Sequence, residues 1–224
     1  MGATAGMLAL LGACGSATTG SAGSSSPVTA SSPITAPAGN VVCDYFPDGQ
    51  AAKDVDPPSA IEPNTGAATA TIQLAGAASG PVTVDLDRKS APCTVGSFTH
   101  LAQSGYFDGT PCHRLTASAT LRVLQCGDPS GTGSGGPGYA FADETNAGMT
   151  YPAGTLAMAN AGPDTNGSQF FLVYQDSVLP PDYTVFGTVT DGLDVVAGIA
   201  AKGTTSGNDG APVQPVTISS VKVS

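Results

Sequence analysis

What stands out along this sequence is a set of uncharged or singly charged polar residues interleaved with aromatics, among them Arg114, Gln125, Asn160, Gln169, Phe170, Phe171 and Tyr183. Arginine stays protonated at any physiological pH, so Arg114 offers a fixed charge and a fork of donors. Phe170 and Phe171 are adjacent in what reads as a strand and must point to opposite faces. One of them is core, and the other is exposed or lines a groove. His100, on a predicted helix, reads as structural or solvated.

Three other patterns suggest different chemistry and fail on context. Gly131-Thr132-Gly133-Ser134-Gly135-Gly136 fits the dinucleotide fingerprint, but it leads into Pro137-Gly138-Tyr139 and not into a helix whose N-terminus could face a pyrophosphate. Gly133-Ser134-Gly135-Gly136-Pro137 echoes the nucleophile region of trypsin-like proteases, yet it lacks the preceding acidic residue, and His113 lies too close in sequence. Asn166-Gly167-Ser168 is a formal glycosylation sequon. The cysteines form no Cys-x-x-Cys, and only His100 and His113 could join them, so no metal site is expected. The glycine-rich stretch from Gly127 to Gly138 reads as a mobile surface loop.

One run carries far more information. Gly154-Thr155-Leu156-Ala157-Met158-Ala159-Asn160-Ala161-Gly162-Pro163-Asp164-Thr165-Asn166-Gly167-Ser168-Gln169-Phe170-Phe171 resembles the central motif of the cyclophilins almost without a break. Cys112-His113-Arg114 resembles that family's arginine-bearing strand. Gln125-Cys126-Gly127-Asp128 resembles the strand after it, and Tyr183-Thr184-Val185-Phe186-Gly187 a late strand, all in the right order from about Thr71 to Val223. The chain resembles in particular the exported cyclophilins of mycobacteria and related actinobacteria. The resemblance implies peptidyl-prolyl cis–trans isomerisation without a cofactor or metal, a monomer, and proline-containing polypeptide segments as partners. It also implies roles: Arg114 catalytic, Gln125 orienting it and the substrate, and Phe171 and Leu179 lining a proline pocket with Val123. Ala159 and Asn160 would bind substrate backbone, Gln169 would flank the groove, Tyr183 would border it, and His113 would have a supporting part.

Such chemistry suits these residue types. Twisting an X-Pro bond breaks amide resonance against a barrier of roughly 18–20 kcal/mol, and no bond to carbon is made or broken. At the twisted midpoint the prolyl nitrogen regains a lone pair. A fixed cation that hydrogen-bonds this lone pair favours the transition state over the planar ground state.

The sequence departs from the family in three places. Thr116–Val123 is longer than usual and lacks the Pro-Gly-Phe found there. Arg122 falls by count where a pocket phenylalanine sits, with Leu121 able to take over after a small shift. Val178 stands at the position of a tryptophan that favours cyclosporin. The altered segment is what favours an alternative reading, a catalytically weak proline-peptide-binding module or envelope chaperone. Retention of Arg114, Gln125, Asn160, Gln169 and Phe171 opposes it.

The elements that must position these residues are short. Strands are expected at Ala70–Leu74 and Pro81–Leu86, joined through a Gly76–Gly80 turn. Others fall at Thr110–Leu115, Leu121–Gln125, Thr155–Ala159, Gln169–Val173, Thr184–Val189 and Val216–Val223. Val95, Phe98, Leu101 and Ala102 fall at helical spacing before Gly105, and Asp191–Lys202 reads as a second helix. Eight strands and two helices dispersed along the chain predict a mainly β fold, a closed eight-stranded antiparallel barrel capped by two helices.

Bulk properties bound the rest. The formal charge is −10 with seven Lys and Arg, which disfavours nucleic acid as a partner. The N-terminal apolar run Ala5–Ala13 is too short to span a bilayer but suits a signal sequence, although no Lys or Arg precedes it. Leu11-Gly12-Ala13-Cys14 resembles a bacterial lipobox, which implies lipidation at Cys14 and an extracytoplasmic, membrane-anchored protein. The expected organisation is a signal segment over 1–14, a disordered Ser/Thr/Ala/Pro linker over 15–40, an N-terminal extension over 41–66 and the domain over 67–224. Cys43, Cys93, Cys112 and Cys126 are an even set, consistent with two disulfides. Of three pairings we favour Cys43–Cys93 with Cys112–Cys126, though strand parity could set the second pair on opposite faces.

Overall fold

A computed structural model describes residues 34–76 and 78–224. Cys14, the signal segment and most of the linker lie outside the described residues, as does Ala77 in the Gly76–Gly80 turn. The elements run β1 Asn40–Val42, β2 Phe46–Pro47, β3 Ile61–Pro63, β4 Ala68–Gly76, β5 Gly80–Leu86 and α1 Pro92–Gln103. Next come β6 Thr110–Pro111, β7 Arg114–Thr116, β8 Val123–Cys126, β9 Tyr139–Ala140, β10 Thr155–Met158 and β11 Phe170–Val173. The chain finishes with β12 Val185–Asp191, α2 Leu193–Ala200, β13 Asp209–Gly210 and β14 Val216–Val223.

Period-two alternation builds the wall. In β4, Ala68, Ala70, Ile72 and Leu74 are buried while Thr69, Thr71 and Gln73 face outward, and β5 buries Val82, Val84 and Leu86. Ten strands pair antiparallel in the order β13-β7-β8-β11-β10-β12-β5-β4-β14-β6. β6 and β7 are two ends of one extended stretch, interrupted only at Cys112 and His113. β6 pairs with β14 and β7 with β8, so this stretch joins the two edges of the sheet into a ring. Counted this way, with the two-residue β13 as an appendage, the barrel has the eight strands expected. The break also settles the parity of the second disulfide: Cys112 lies outside regular strand geometry and bonds to Cys126 on β8. Cys43 bonds to Cys93 on α1.

Inside the ring, Phe98 of α1 packs against Phe107, Phe170 and Phe186 with ring centroids 5.2–5.5 Å apart. The first turn of α1 has no local cap. The carboxylate of Glu144 takes its place, accepting from the Cys93 and Thr94 amides at 3.0 and 2.8 Å. The N-terminal extension adds the β1–β3 pair, and it buries Glu62 against α1 at Gly96, where any Cβ would overlap the carboxyl.

Candidate functional site

Register places the predicted site residues in one row. Arg114 on β7 stands opposite Gln125 on β8, Gln125 opposite Phe171 on β11, and Phe171 opposite Ala157 on β10. Cross-strand partners share a face, so these side chains lie together on the outside of the barrel. The adjacent row, Leu115, Leu124, Leu172 and Leu156, fills the inside. Phe170 is therefore core. Phe171 heads a second apolar cluster with Val123, Tyr151, Ala157 and Val173, flanked by Leu121, Leu179 and Tyr183.

That cluster floors a cavity of about 120 Å³ lined by Arg114, Leu121, Val123, Gln125, Ala159, Asn160, Phe171, Leu179 and Tyr183. Eight of the ten predicted site residues are here. The Tyr183 ring meets Phe171 edge-on at 5.8 Å, and the Tyr151 hydroxyl donates to the Tyr183 carbonyl (2.9 Å). Asn160 donates from Nδ2 to the Asp182 carbonyl (2.8 Å), and the Ala159 amide donates to the Gln169 carbonyl (3.0 Å). Leu121 lines this cavity and Arg122 does not. Arg122 turns out of the cavity and donates from Nε to the Ser118 carbonyl (3.0 Å) and from Nη1 to Gln175 Oε1. Val178 is 78% exposed and lines neither cavity.

Arg114 is held from two sides. Nη1 donates to Gln125 Oε1 (3.1 Å), while Nε and Nη2 donate in parallel to Asp209 Oδ1 and Oδ2 (2.8 and 2.7 Å). Three of its five N–H bonds are occupied, which leaves one each on Nη1 and Nη2. The hydrogen bond to Asp209 raises the guanidinium pKa further and holds the Asp209 carboxyl below the ordinary carboxylate range. Asp209 was missed from sequence. It sits on a two-residue strand, 95 positions from its partner, with no pattern around it.

Gln169 extends the network without entering the small cavity. Its Oε1 accepts from Gln125 Nε2 (2.9 Å), and its Nε2 donates to the Gly133 and Gly135 carbonyls (both 3.0 Å). The glycine-rich loop, which reads as mobile from sequence, is thus tied to the barrel by hydrogen bonds. Its organiser is the fully buried Asp128, which accepts from the Ser130, Gly133 and Gly135 amides at 2.7–3.0 Å. Burial alone would raise the Asp128 pKa, but the hydrogen bonds outweigh it and hold the carboxyl below its ordinary value.

His113 lines neither cavity, its ring nitrogens have no hydrogen-bond partner among the described residues, and burial lowers its pKa. Its Cδ2 lies 3.3 Å from where a Cβ at Gly133 would stand, so it backs the loop instead. Asn166 of the sequon is buried and donates to the Phe141 carbonyl (3.1 Å) and Asp143 Oδ1 (2.8 Å), so a glycan has no access. Among the described residues, no group of three or more His, Cys, Asp or Glu could hold a metal ion.

Comparison with known proteins agrees with this geometry. Residues 69–223 match the family described as cyclophilin type peptidyl-prolyl cis-trans isomerase. A probable peptidyl-prolyl cis-trans isomerase B of Mycobacterium leprae is 49% identical over 82% of this chain and 67% of its own length. Its counterpart in Mycobacterium tuberculosis is 55% identical over 63% of this chain and 51% of its own, so the chain spans about half of that relative. Among solved structures, a cyclophilin type isomerase of Cryptosporidium parvum superposes with a TM-score of 0.61 at 28% identity, covering 71% of this chain and 98% of its own. The same protein, crystallised in the presence of the dipeptide Ala-Pro, gives 0.60 at 29% identity, over 70% of this chain and 98% of its own. With the barrel, the outer-face row and these matches in agreement, the chain belongs to the cyclophilin-type peptidyl-prolyl cis-trans isomerase family.

Proposed function

We propose that this chain accelerates cis–trans isomerisation of X-Pro bonds in polypeptide segments that lie across the outer face of its barrel. The observation that carries the reading is the guanidinium of Arg114, fixed by Gln125 and Asp209 at the rim of an apolar cavity with two N–H bonds to spare. In this reading the proline ring sits against Leu121, Val123, Phe171 and Leu179 while Asn160 and the Ala159 backbone hold the flanking chain. Arg114 donates to the prolyl nitrogen as it becomes pyramidal.

Magnitudes require both halves of the site. An acceleration on the order of 10⁵-fold needs about 7 kcal/mol. One charge-assisted hydrogen bond supplies about 1.5–3 kcal/mol. Ring immobilisation and desolvation of the rotating bond must provide the remainder.

The same reading has the protein act on exported polypeptides from the outer side of the cytoplasmic membrane, tethered by lipid at Cys14. The Leu11-Gly12-Ala13-Cys14 run supports it, as do the disulfides Cys43–Cys93 and Cys112–Cys126, which persist in oxidising compartments. Fatty-acid labelling of the expressed chain, lost in Cys14→Ser, tests the tether. Refolding of a substrate protein limited by a slow X-Pro step tests the activity: catalytic amounts should speed the slow phase. If the protein binds such substrates and leaves that phase unchanged, it is a binding module and not an isomerase.

A further inference from the structure

Beside the proline cavity lies a larger one, of about 640 Å³. Gln125, Ala159 and Asn160 line both, so the two are contiguous, and a segment with its proline in the first would have room to extend a neighbouring side chain into the second. One wall of the larger cavity is the glycine-rich loop. Another is Asp48-Gly49-Gln50, which belongs to the N-terminal extension and lies outside the family match that begins at residue 69.

The extension is fixed in place. β2 pairs with β9 as Phe46 opposite Ala140 and Pro47 opposite Tyr139. The Asp48 amide donates to the Gly138 carbonyl (3.0 Å) and the Ala52 amide to the Gly136 carbonyl (2.8 Å). Gly138 has φ of 82°, and a Cβ there would stand 3.2 Å from Ala51, so the close approach of the two segments depends on that glycine. The Tyr45 hydroxyl donates to the Cys93 carbonyl (2.7 Å), and Cys43–Cys93 closes the base of the extension covalently. Among the described residues lining the cavity, Asp48 is the one that is charged; most of the others offer amides, hydroxyls or backbone.

We propose that the 48–50 turn is a specificity element, and that the larger cavity selects substrates with a cationic or uncharged polar side chain near the proline and disfavours acidic ones. This inference rests on the isomerase reading and adds to it the class of flanking residue. Asp48 lies on an exposed turn, so screening limits its preference to about three- to fivefold at low salt, fading as salt rises.

The test uses the purified full chain and peptides with a central Ala-Pro bond. Lys, Gln or Glu is placed in turn at each of the three positions before and the two after that bond, and kcat/KM is read by exchange NMR. At one position wild type should prefer Lys to Glu by about three- to fivefold. Asp48→Asn should bring the ratio below about twofold, and Asp48→Lys should invert it. The remote, exposed Asp194→Asn on α2 makes the same change in net charge and should leave the ratio unaltered. No preference in wild type, an unchanged ratio in both Asp48 variants, or an equal change with Asp194→Asn overturns the proposal. An all-alanine peptide isomerised at the wild-type rate by every variant keeps the isomerase reading intact; if wild type fails on that peptide, the underlying reading fails instead.

Discussion

Asp209 offers the sharpest prediction, because two opposing effects meet in one side chain. Its carboxylate holds Nε and Nη2 of Arg114 at 2.8 and 2.7 Å, which fixes the guanidinium plane. It also partly neutralises the charge that the prolyl nitrogen would feel. The Arg114 and Asp209 side chains are 39% and 55% exposed. Water screens the pair, so its Coulombic part is worth no more than about 1 kcal/mol, and damping of a neutral nitrogen lone pair is smaller still. Orientation weighs more. An arginine carries about 2 kcal/mol of rotamer entropy, and Gln125 alone grips only Nη1, so about half of that is regained on removing Asp209. Asp209→Ala should therefore lower kcat for a short Ala-Pro peptide about fivefold with KM unchanged, because in the proposed mechanism the arginine acts only at the twisted midpoint. Asp209→Asn, which keeps one acceptor, should lose about twofold or less and so rescue the alanine variant. Exchange NMR at several peptide concentrations separates kcat from KM, and thermal denaturation checks folding. A folded Asp209→Ala within about 1.5-fold of wild type, or faster than it, would refute the reasoning: either Gln125 suffices, or charge damping outweighs orientation.

Two further results are expected. Burial of Glu62 against α1 raises its pKa from 4.5 to about 7, opposed by Arg88, so the folded state binds more protons than the unfolded chain across that window. Stability should then fall as pH rises from about 4.5 through 7, by up to about 3 kcal/mol. Glu62→Gln should raise Tm by at least about 2 °C at pH 8 and leave it unchanged near pH 4.5; equal Tm values at both pH values would remove Glu62 as the cause. Leu121→Ala should lower kcat/KM about fivefold by stripping apolar contact from the proline ring, whereas Arg122→Ala should have no effect. The reverse order would mean that the segment from Thr116 to Val123 presents Arg122, and not Leu121, to substrate.

What the sequence made legible, and what it hid, follows from range. Arg114, Gln125 and Phe171 stand out in the sequence because their neighbours carry a dense motif, and the alternation in β4, β5 and β14 shows which faces turn inward. β1, β2, β3, β9 and β13 have two or three residues each, too short to express any period. β6 and β7 read as one strand because nothing local marks the interruption at Cys112 and His113. Asp209, the Glu144 cap on α1 and the Asp128 grip on the glycine-rich loop are carboxylates bonded to groups that local pattern does not pair with them. For Asp209 and Glu144 those groups lie 95 and about 50 positions away, and for Asp128 they are backbone amides.

The most direct test of the account is the rate of cis–trans exchange in a short Ala-Pro peptide with wild type, Arg114→Ala and Arg114→Lys, each shown to be folded. Wild type should accelerate exchange strongly, Arg114→Ala should lose at least about tenfold in kcat/KM, and Arg114→Lys should recover only part because a point charge cannot reproduce the fork. Turnover by folded Arg114→Ala equal to wild type would contradict the claim that the cation at the rim of the pocket stabilises the twisted prolyl amide.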